Sequence, residues 1–227
     1  MLQKIDKRKL LKHIYNTYDE YSQKWAIACQ RYCSTCCTDR LWITTLEARF
    51  ILDYLYTHNM KALLNKIHEI PASNRYHPKT TINQEAVMSV QDASIPEADE
   101  TPLQTCIFLK NNECLIYPNR PMCCRSMVSQ TKCMVDGYAN MSPLHMSLAT
   151  ICYQFIEAFD IHGDYGNYLN ILETLIVDPE IQPIQHTLSK QFVLKNQTIQ
   201  YLMIPPEHQA DLEPFIAAIQ DSPQVRN

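Results

Sequence analysis

Four cysteines lie within nine residues of the stretch CQRYCSTCC: Cys29, Cys33, Cys36 and Cys37. A second stretch, CIFLKNNECLIYPNRPMCCRSMVSQTKC, adds Cys106, Cys114, Cys123, Cys124 and Cys133, and the tenth cysteine, Cys152, stands apart. Thiols grouped in this way can form disulfides, act as a redox pair or ligate metal. Cys36 and Cys37 are neighbours, as are Cys123 and Cys124, and adjacent α-carbons lie about 3.8 Å apart. The usual disulfide window opens only near roughly 4.4 Å. The charged opening MLQKIDKRKLLKHIYNTYDEY has no apolar signal-peptide core, so the cytoplasm is the expected location, and cytosolic thiols are normally kept reduced. A disulfide framework is therefore the poorer reading. Cys33-Ser34-Thr35-Cys36 is formally C-x-x-C, but a thioredoxin-like pair needs a βαβ context, and the flanks here read as helical. Metal ligation suits the spacing best, because C-x2-C lets two thiolates reach one ion while the backbone between them turns.

Counted by segment, Cys29, Cys33, Cys36 and Cys37 make one set of four, and Cys106, Cys114, Cys124 and Cys133 make another, with Cys123 left over. Tetrathiolate sets suit zinc or iron–sulfur clusters, both of which take soft sulfur ligands. Cys36 and Cys37 are expected to serve different centres, on the premise that adjacent side chains diverge. Eight thiolates leave negative charge uncompensated by two Zn²⁺ ions or two [4Fe–4S]²⁺ cores, and the cysteine segments are locally basic within an acidic chain of net charge -4. Arg120 and Arg125 are the candidates for cofactor-binding charge-assisted hydrogen bonds to the sulfurs. Residues 38–105 separate the two clusters. Loop-closure entropy grows slowly with length, and metal binding contributes folding free energy, so one core gripped from both segments is affordable.

The elements that must position these thiols read mainly as helices. Ile14, Tyr18, Tyr21 and Trp25 share one face of a helix over residues 4–28, which runs into Cys29. TTLEARFILDYLYTHN is a second helix, opened by a Thr44–Glu47 capping box, and residues 60–70 make a third. Residues 71–105, with four prolines, read as a long excursion holding a short helix near Gln84 to Val90. CIFL and CLIY are two short strands around an Asn-rich turn. Apolar stripes define helices from Leu144 to Phe159 and from Tyr165 to Ile176, with Gly163 as a stop between them. Residues 178–206 are ambiguous, residues 207–220 form a last helix, and the final residues fray. The fold class is thus mainly α, with helices packed around a cysteine-rich irregular metal-binding centre and at most a short β-hairpin. The expected organisation is a single domain, 1–227, with 29–133 as the metal-binding core and 1–28 and 143–220 as flanking helices. Net charge argues against nucleic-acid binding, no apolar run reaches the roughly 18 residues of a membrane span, and the three glycines exclude glycine-rich phosphate loops. Met122, Met127, Met134, Met141 and Met146 raise copper(I), but flexible core filling explains them better. Cys152 reads as a core residue, and His145 as a helix-start residue or a substitute ligand.

In CQRYCSTCC, CIFLKNNEC and IYPNRPMCCR the chain resembles the YkgJ-type cysteine-cluster family, also described as a zinc- or iron-chelating domain of the CxxCxxCC type. The family pattern is C-x3-C-x2-C-C, then two cysteines around an apolar run, then R-P-x-x-C; it spans roughly residues 29–133 here. The resemblance implies Cys29, Cys33, Cys36, Cys37, Cys106, Cys114 and Cys124 as ligands, with Cys133 as the eighth and Cys124 preferred to Cys123 by the R-P-x-x-C register. Family members often carry glycine beside the first cysteines, where this chain has Arg31, Tyr32, Ser34 and Thr35. The resemblance further implies one or two iron–sulfur clusters, [4Fe–4S] in type, with zinc as the alternative. The expected role is that of an iron–sulfur oxidoreductase or protein-modifying enzyme, with a protein redox partner or protein substrate. The alternative is a structural zinc or metal-carrier module whose helices bind a partner; one branch of the family resembles lysine N-methylases.

Overall fold

A computed structural model describes residues 6–176 and 186–221. Helix α1 (Lys7–Ser22) starts where the Asp6 carboxylate accepts hydrogen bonds from the backbone N–H groups of Arg8 and Lys9. It ends at Ser22, short of the expected run into Cys29. Trp25 still reaches the core from beyond the helix end, stacking 4.5 Å from the His145 ring. Strand β1 (Trp42–Thr44) leads directly into α2 (Thr45–Thr57), and the Thr44–Glu47 capping box is formed. Residues Lys61–Glu69 are a 3₁₀ helix rather than an α-helix. The excursion contains α3 (Ile82–Val90), capped by Thr81 and anchored by Asn83, whose side chain donates to the Gln154 carbonyl.

The hairpin is present as β2 (Leu109–Lys110) and β3 (Glu113–Cys114), with Asn111 and Asn112 at φ 52° and 62° in the turn. Two positive-φ residues are what a tight two-residue hairpin needs, and asparagine tolerates them. Short helices α4 (Met122–Ser126) and α5 (Cys133–Asp136) carry the later cysteines. The long α6 (Pro143–Phe159) follows, then β4 (Asp164–Asn167), α7 (Tyr168–Leu175), α8 (His186–Gln191), β5 (Leu194–Lys195) and α9 (Gln209–Gln220).

The chain is mainly helical, as expected, but the limit of one hairpin is exceeded. β1, β4 and β5 form a three-stranded antiparallel sheet in which β4 is central, pairing Ile43 with Gly166 and Tyr165 with Leu194. The segment DYGN had the apolar spacing of a helix. It becomes a strand because it lies between two partners far away in sequence, and its Asn167 then caps α7 by accepting from Leu169 N–H. Gly163 is required just before it: a Cβ there would lie 2.1 Å from the Asp160 carboxylate, which in turn accepts from Leu46 N–H at the start of α2. The earlier readings of residues 178–185 and of the chain end lie outside the described residues. Among the described residues no helix is long and apolar enough to cross a membrane.

Two apolar cores flank α2. One joins Ile51, Leu55, Leu64, Phe108, Ile116 and α7. The other joins α1, α6 and α9 through Ile14, Tyr18, Ile151, Phe155, Leu212 and Phe215. Between them the buried Glu47 carboxylate accepts from Tyr15 O–H, Thr44 N–H and Met122 N–H. It thereby ties α1 and α2 to the start of α4. Burial raises its pKa, and the donated hydrogen bonds oppose that rise. Replacing Glu47 by Ala leaves three buried donors without an acceptor; the expected loss is about 3 kcal/mol of unfolding free energy in a urea titration. Lys195→Ala, which removes an exposed ion pair with Asp164, is expected to cost less than about 1 kcal/mol in the same measurement.

Candidate metal centre

The thiols are placed by three attachments between the two cysteine segments, two that involve the backbone and one made by side chains. At the first, Ala28 N–H donates to the Ser129 carbonyl at 2.7 Å and Ser129 N–H donates to Cys29 Sγ at 3.3 Å. Ser129 also organises the loop beyond it, because its hydroxyl accepts from Thr131 N–H and Asn140 N–H. That loop holds α5, with Cys133 at its start, and closes on Gly137 at φ 77°, whose N–H donates to the Cys133 carbonyl. At the second attachment, Cys106 N–H donates to the Cys37 carbonyl at 3.1 Å, Thr38 and Thr105 form an antiparallel bridge, and Asp39 N–H donates to the Gln104 carbonyl. The Asp39 carboxylate returns the contact by accepting from Gln104 N–H. At the third, the loop between Cys29 and Cys36 sits against the hairpin turn, through Arg31 paired with Glu113 at 2.6 Å and Ser34 donating to Asn112.

All ten cysteines are free thiols. Cys33 and Cys36 are exposed; Cys29, Cys37, Cys114, Cys124 and Cys133 are half-buried; Cys106, Cys123 and Cys152 are buried. Cys29 has Cys33, Cys36 and Cys133 as electrostatic neighbours. Cys37 has Cys106, Cys114 and Cys124 in addition to Cys36. Among the described residues, no group of three or more His, Cys, Asp or Glu side chains is already arranged to hold a metal ion. The segments are thus brought together by their backbones, while the sulfur atoms remain unconverged.

Burial pushes the Cys106 thiol up to about 12 and raises Cys29 and Cys114 as well. Cys36 and Cys37 do not diverge as expected. A hydrogen bond between them, with Cys36 as donor, raises Cys36 and lowers Cys37. Cys124 is raised first by its hydrogen bond with Cys123 and then by burial. Every one of these thiols is easier to ionise with a cation beside it, and Arg120 is such a cation: it lowers Cys36, Cys114 and Cys124. Its guanidinium lies 3.9 Å from the centre of the Tyr117 ring, and its buried Nε has no hydrogen-bond partner among the described residues.

Arg125 has a different place from the one expected. Its guanidinium donates to Asp19, to the carbonyls of Arg120 and Pro118, and lies over the Tyr15 ring. Each of its three nitrogens thus has an oxygen acceptor, and it braces α4 against α1. Cys123 packs in the apolar core, whereas its neighbour Cys124 is the one beside the other thiols. Cys152 is wholly buried in the second core. His145 sits in the first turn of α6, with Nε2 2.6 Å from the Tyr18 hydroxyl, and is therefore engaged by Tyr18. The methionines do not gather: Met122 is fully buried while Met134 is 87 % exposed. Tyr168 makes a contact that no motif or spacing marks. Its hydroxyl accepts from Ile107 N–H and donates to the Cys106 sulfur, which favours the thiolate. Tyr32, at one of the positions where glycine is frequent in the resembled family, has φ 70°. The left-handed turn that glycine adopts freely is therefore made here by a tyrosine.

A family model described as CxxCxxCC, "putative zinc- or iron-chelating domain", matches residues 28–141. The match covers half of the chain and all nine clustered cysteines, and the chain belongs to that family. The family description supports metal binding, by zinc or iron. No curated protein and no solved structure matches the chain.

The role of the Ser129 hydroxyl in ordering the loop that carries Cys133 is directly testable. Ser129→Ala removes the acceptor of two backbone N–H groups, and the expected result is faster hydrogen exchange at the amides of Thr131 and Asn140, by about tenfold or more, corresponding to ~1.4 kcal/mol of lost local protection. The Cys106 amide, held by the separate Cys37 contact, is expected to keep its protection.

Proposed function

We propose that this member of the CxxCxxCC family is an iron–sulfur protein whose clustered thiols hold its metal, with a redox or protein-modifying role. The observation that carries the reading is the antiparallel backbone contact of residues 37–39 with residues 104–106, which brings the two thiol-bearing segments side by side. Cys29, Cys33, Cys36, Cys37, Cys106, Cys114, Cys124 and Cys133 are the proposed ligands. The donor chemistry fits: all are free thiols, soft ligands of the kind that take iron–sulfur clusters or zinc. Several are buried where ionisation is disfavoured without a compensating cation. The chain's own residues would hold and tune such a group. Arg120 offsets thiolate charge from its seat on Tyr117, and the Tyr168 hydroxyl donates to Cys106 sulfur, the type of hydrogen bond that sets cluster potential. When bound, an iron–sulfur centre supplies one-electron storage and transfer. Binding includes turning the thiolates inward on a backbone already in place.

Free thiols in this number accord with a reducing compartment, the cytoplasm. An electron-transfer or modifying role requires a protein redox partner or protein substrate. The exposed side chains of Met134, Val135 and Tyr138, beside Cys133, offer apolar surface for that contact. The zinc reading, in which the metal is structural or cargo and the helices bind a partner, is favoured by the same number of donors, since two sets of four suit closed tetrathiolate zinc sites.

Anaerobic purification separates the two readings. The expected protein is brown, with broad visible absorption and iron and acid-labile sulfide in near-equal amounts. A colourless protein with stoichiometric zinc would overturn the iron–sulfur reading and select the other. In either case, stripping the metal with a strong chelator is expected to lower the melting temperature by about 10 °C or more, since several kcal/mol of binding free energy stabilise the fold. An unchanged melting curve after complete removal would show that the metal does not close the structure.

A further inference from the structure

The two cysteine segments are not two sites. We propose that the chain holds two metal centres whose ligand sets cross the segments: an outer one of Cys29, Cys33, Cys36 and Cys133, and an inner one of Cys37, Cys106, Cys114 and Cys124. This rests on the metal-binding reading above and assigns its thiols.

The course of the backbone and the packing give this partition, and the surroundings of the thiols agree with it everywhere but at Cys36, where the sets touch. The first is the course of the backbone. The start of the first segment is attached at residues 28–29 to residue 129, on the loop that carries Cys133, while its end is attached at residues 37–39 to residues 104–106. The segments therefore run past each other in opposite directions. The first cysteine of one is brought to the last of the other, and the last of the one to the first of the other. Grouping by sequence segment would require Cys37 to serve with Cys29 and Cys133 with Cys106, against both attachments.

The second is packing. Cys106 is part of the apolar core formed with α2 and α7, and Cys37, Cys114 and Cys124 pack against that core. None of Cys29, Cys33, Cys36 and Cys133 does so, and two of those four are exposed. The hairpin explains why Cys114 is inner: it pairs with Leu109, itself hydrogen-bonded through its N–H to the Cys106 carbonyl. Cys124 is inner because it lies on the first turn of α4, whose start is fixed by Glu47. The third is the surroundings of Cys29, which include Cys33, Cys36 and Cys133, and of Cys37, which include Cys106, Cys114 and Cys124; Cys36 alone borders both groups, lying near Cys37 and Cys124 as well.

Cys36 and Cys37 are the point where the sets meet. They are adjacent in the chain, Cys36 exposed and Cys37 half-buried against the apolar core. Two adjacent thiolates repel, and each has its own set to turn toward: Cys36 outward, Cys37 toward the core.

The test is metal content of anaerobically purified protein carrying paired substitutions. The pair Cys29→Ser and Cys133→Ser draws on both segments but on one proposed centre; it is expected to retain half of the wild-type metal. The pair Cys106→Ser and Cys133→Ser draws on one segment but on both centres, and is expected to retain almost none. The opposite pattern would show that each segment builds its own site, and overturn the crossing. Complete loss in both pairs from a wild type that holds one centre would overturn the two-centre assignment while leaving metal binding intact. A wild type that binds neither iron nor zinc would overturn the metal reading and this inference with it. A second measurement needs no substitution. Metal-loaded wild-type protein is treated with a chelator for increasing times, alkylated with iodoacetamide, and mapped by peptide. Release in two phases of equal amplitude is expected, with Cys29, Cys33, Cys36 and Cys133 alkylated in the faster one. Simultaneous labelling of all eight would contradict two separate centres.

Discussion

The hydrogen bond from Cys106 N–H to the Cys37 carbonyl, continued by the Thr38–Thr105 bridge, is the contact on which the rest of the site depends. It joins segments separated by residues 38–105 and sets them antiparallel, so it fixes both which thiols meet and which way the segments run. Asp39 reinforces it from both sides. Its N–H and carboxylate pair with Gln104, and its carbonyl accepts from the Asn167 side chain at the end of the central strand. The cysteine region is thus attached to the three-stranded sheet through one residue that is fully buried. A loop in contact only with itself would have no such reference to the fold.

The helical framework meets the site at a second place, Glu47. A carboxylate in an apolar setting is unfavourable unless its oxygen atoms are occupied by donors, and here the donors come from α1, from the start of α2 and from the first residue of α4. The same group that caps one helix therefore positions the backbone bearing Cys123 and Cys124. Arg125 works in the same direction from the other side, joining α4 to Asp19 of α1. These contacts place Cys124 beside the other thiols and leave Cys123 in the core. The distinction between two adjacent, chemically identical residues is thus made by the helix that carries them.

The inner and outer thiols live in different electrostatic settings. Cys106 is buried and is met by the Tyr168 hydroxyl; Cys33 and Cys36 face solvent. Two metal centres in such settings would exchange ligand, metal and electrons with the surroundings at different rates, because access and desolvation both differ. Arg120, placed within reach of Cys36 as well as Cys114 and Cys124, is the cation common to both sides.

The cysteine types and spacings by themselves determined the donor chemistry, the family and the candidate ligands, because thiol chemistry and C-x2-C turns are local properties. Local signals also sufficed for the Thr44–Glu47 capping box, the asparagine turn of the hairpin and the buried stripe of α6, each of which involves residues within a few positions of one another. What depended on distant partners was not legible. The strand DYGN reads as helix until β1 and β5 lie on either side of it; Arg125 and Arg120 look alike until Asp19 and two carbonyls occupy one of them; Tyr168 has no sulfur neighbour until α7 packs against Cys106. The grouping of the thiols belongs with these. Sequence proximity puts Cys37 with Cys29, but the antiparallel passage of the two segments puts it with Cys106, since backbone pairing between residues far apart in the chain decides which side chains share a volume.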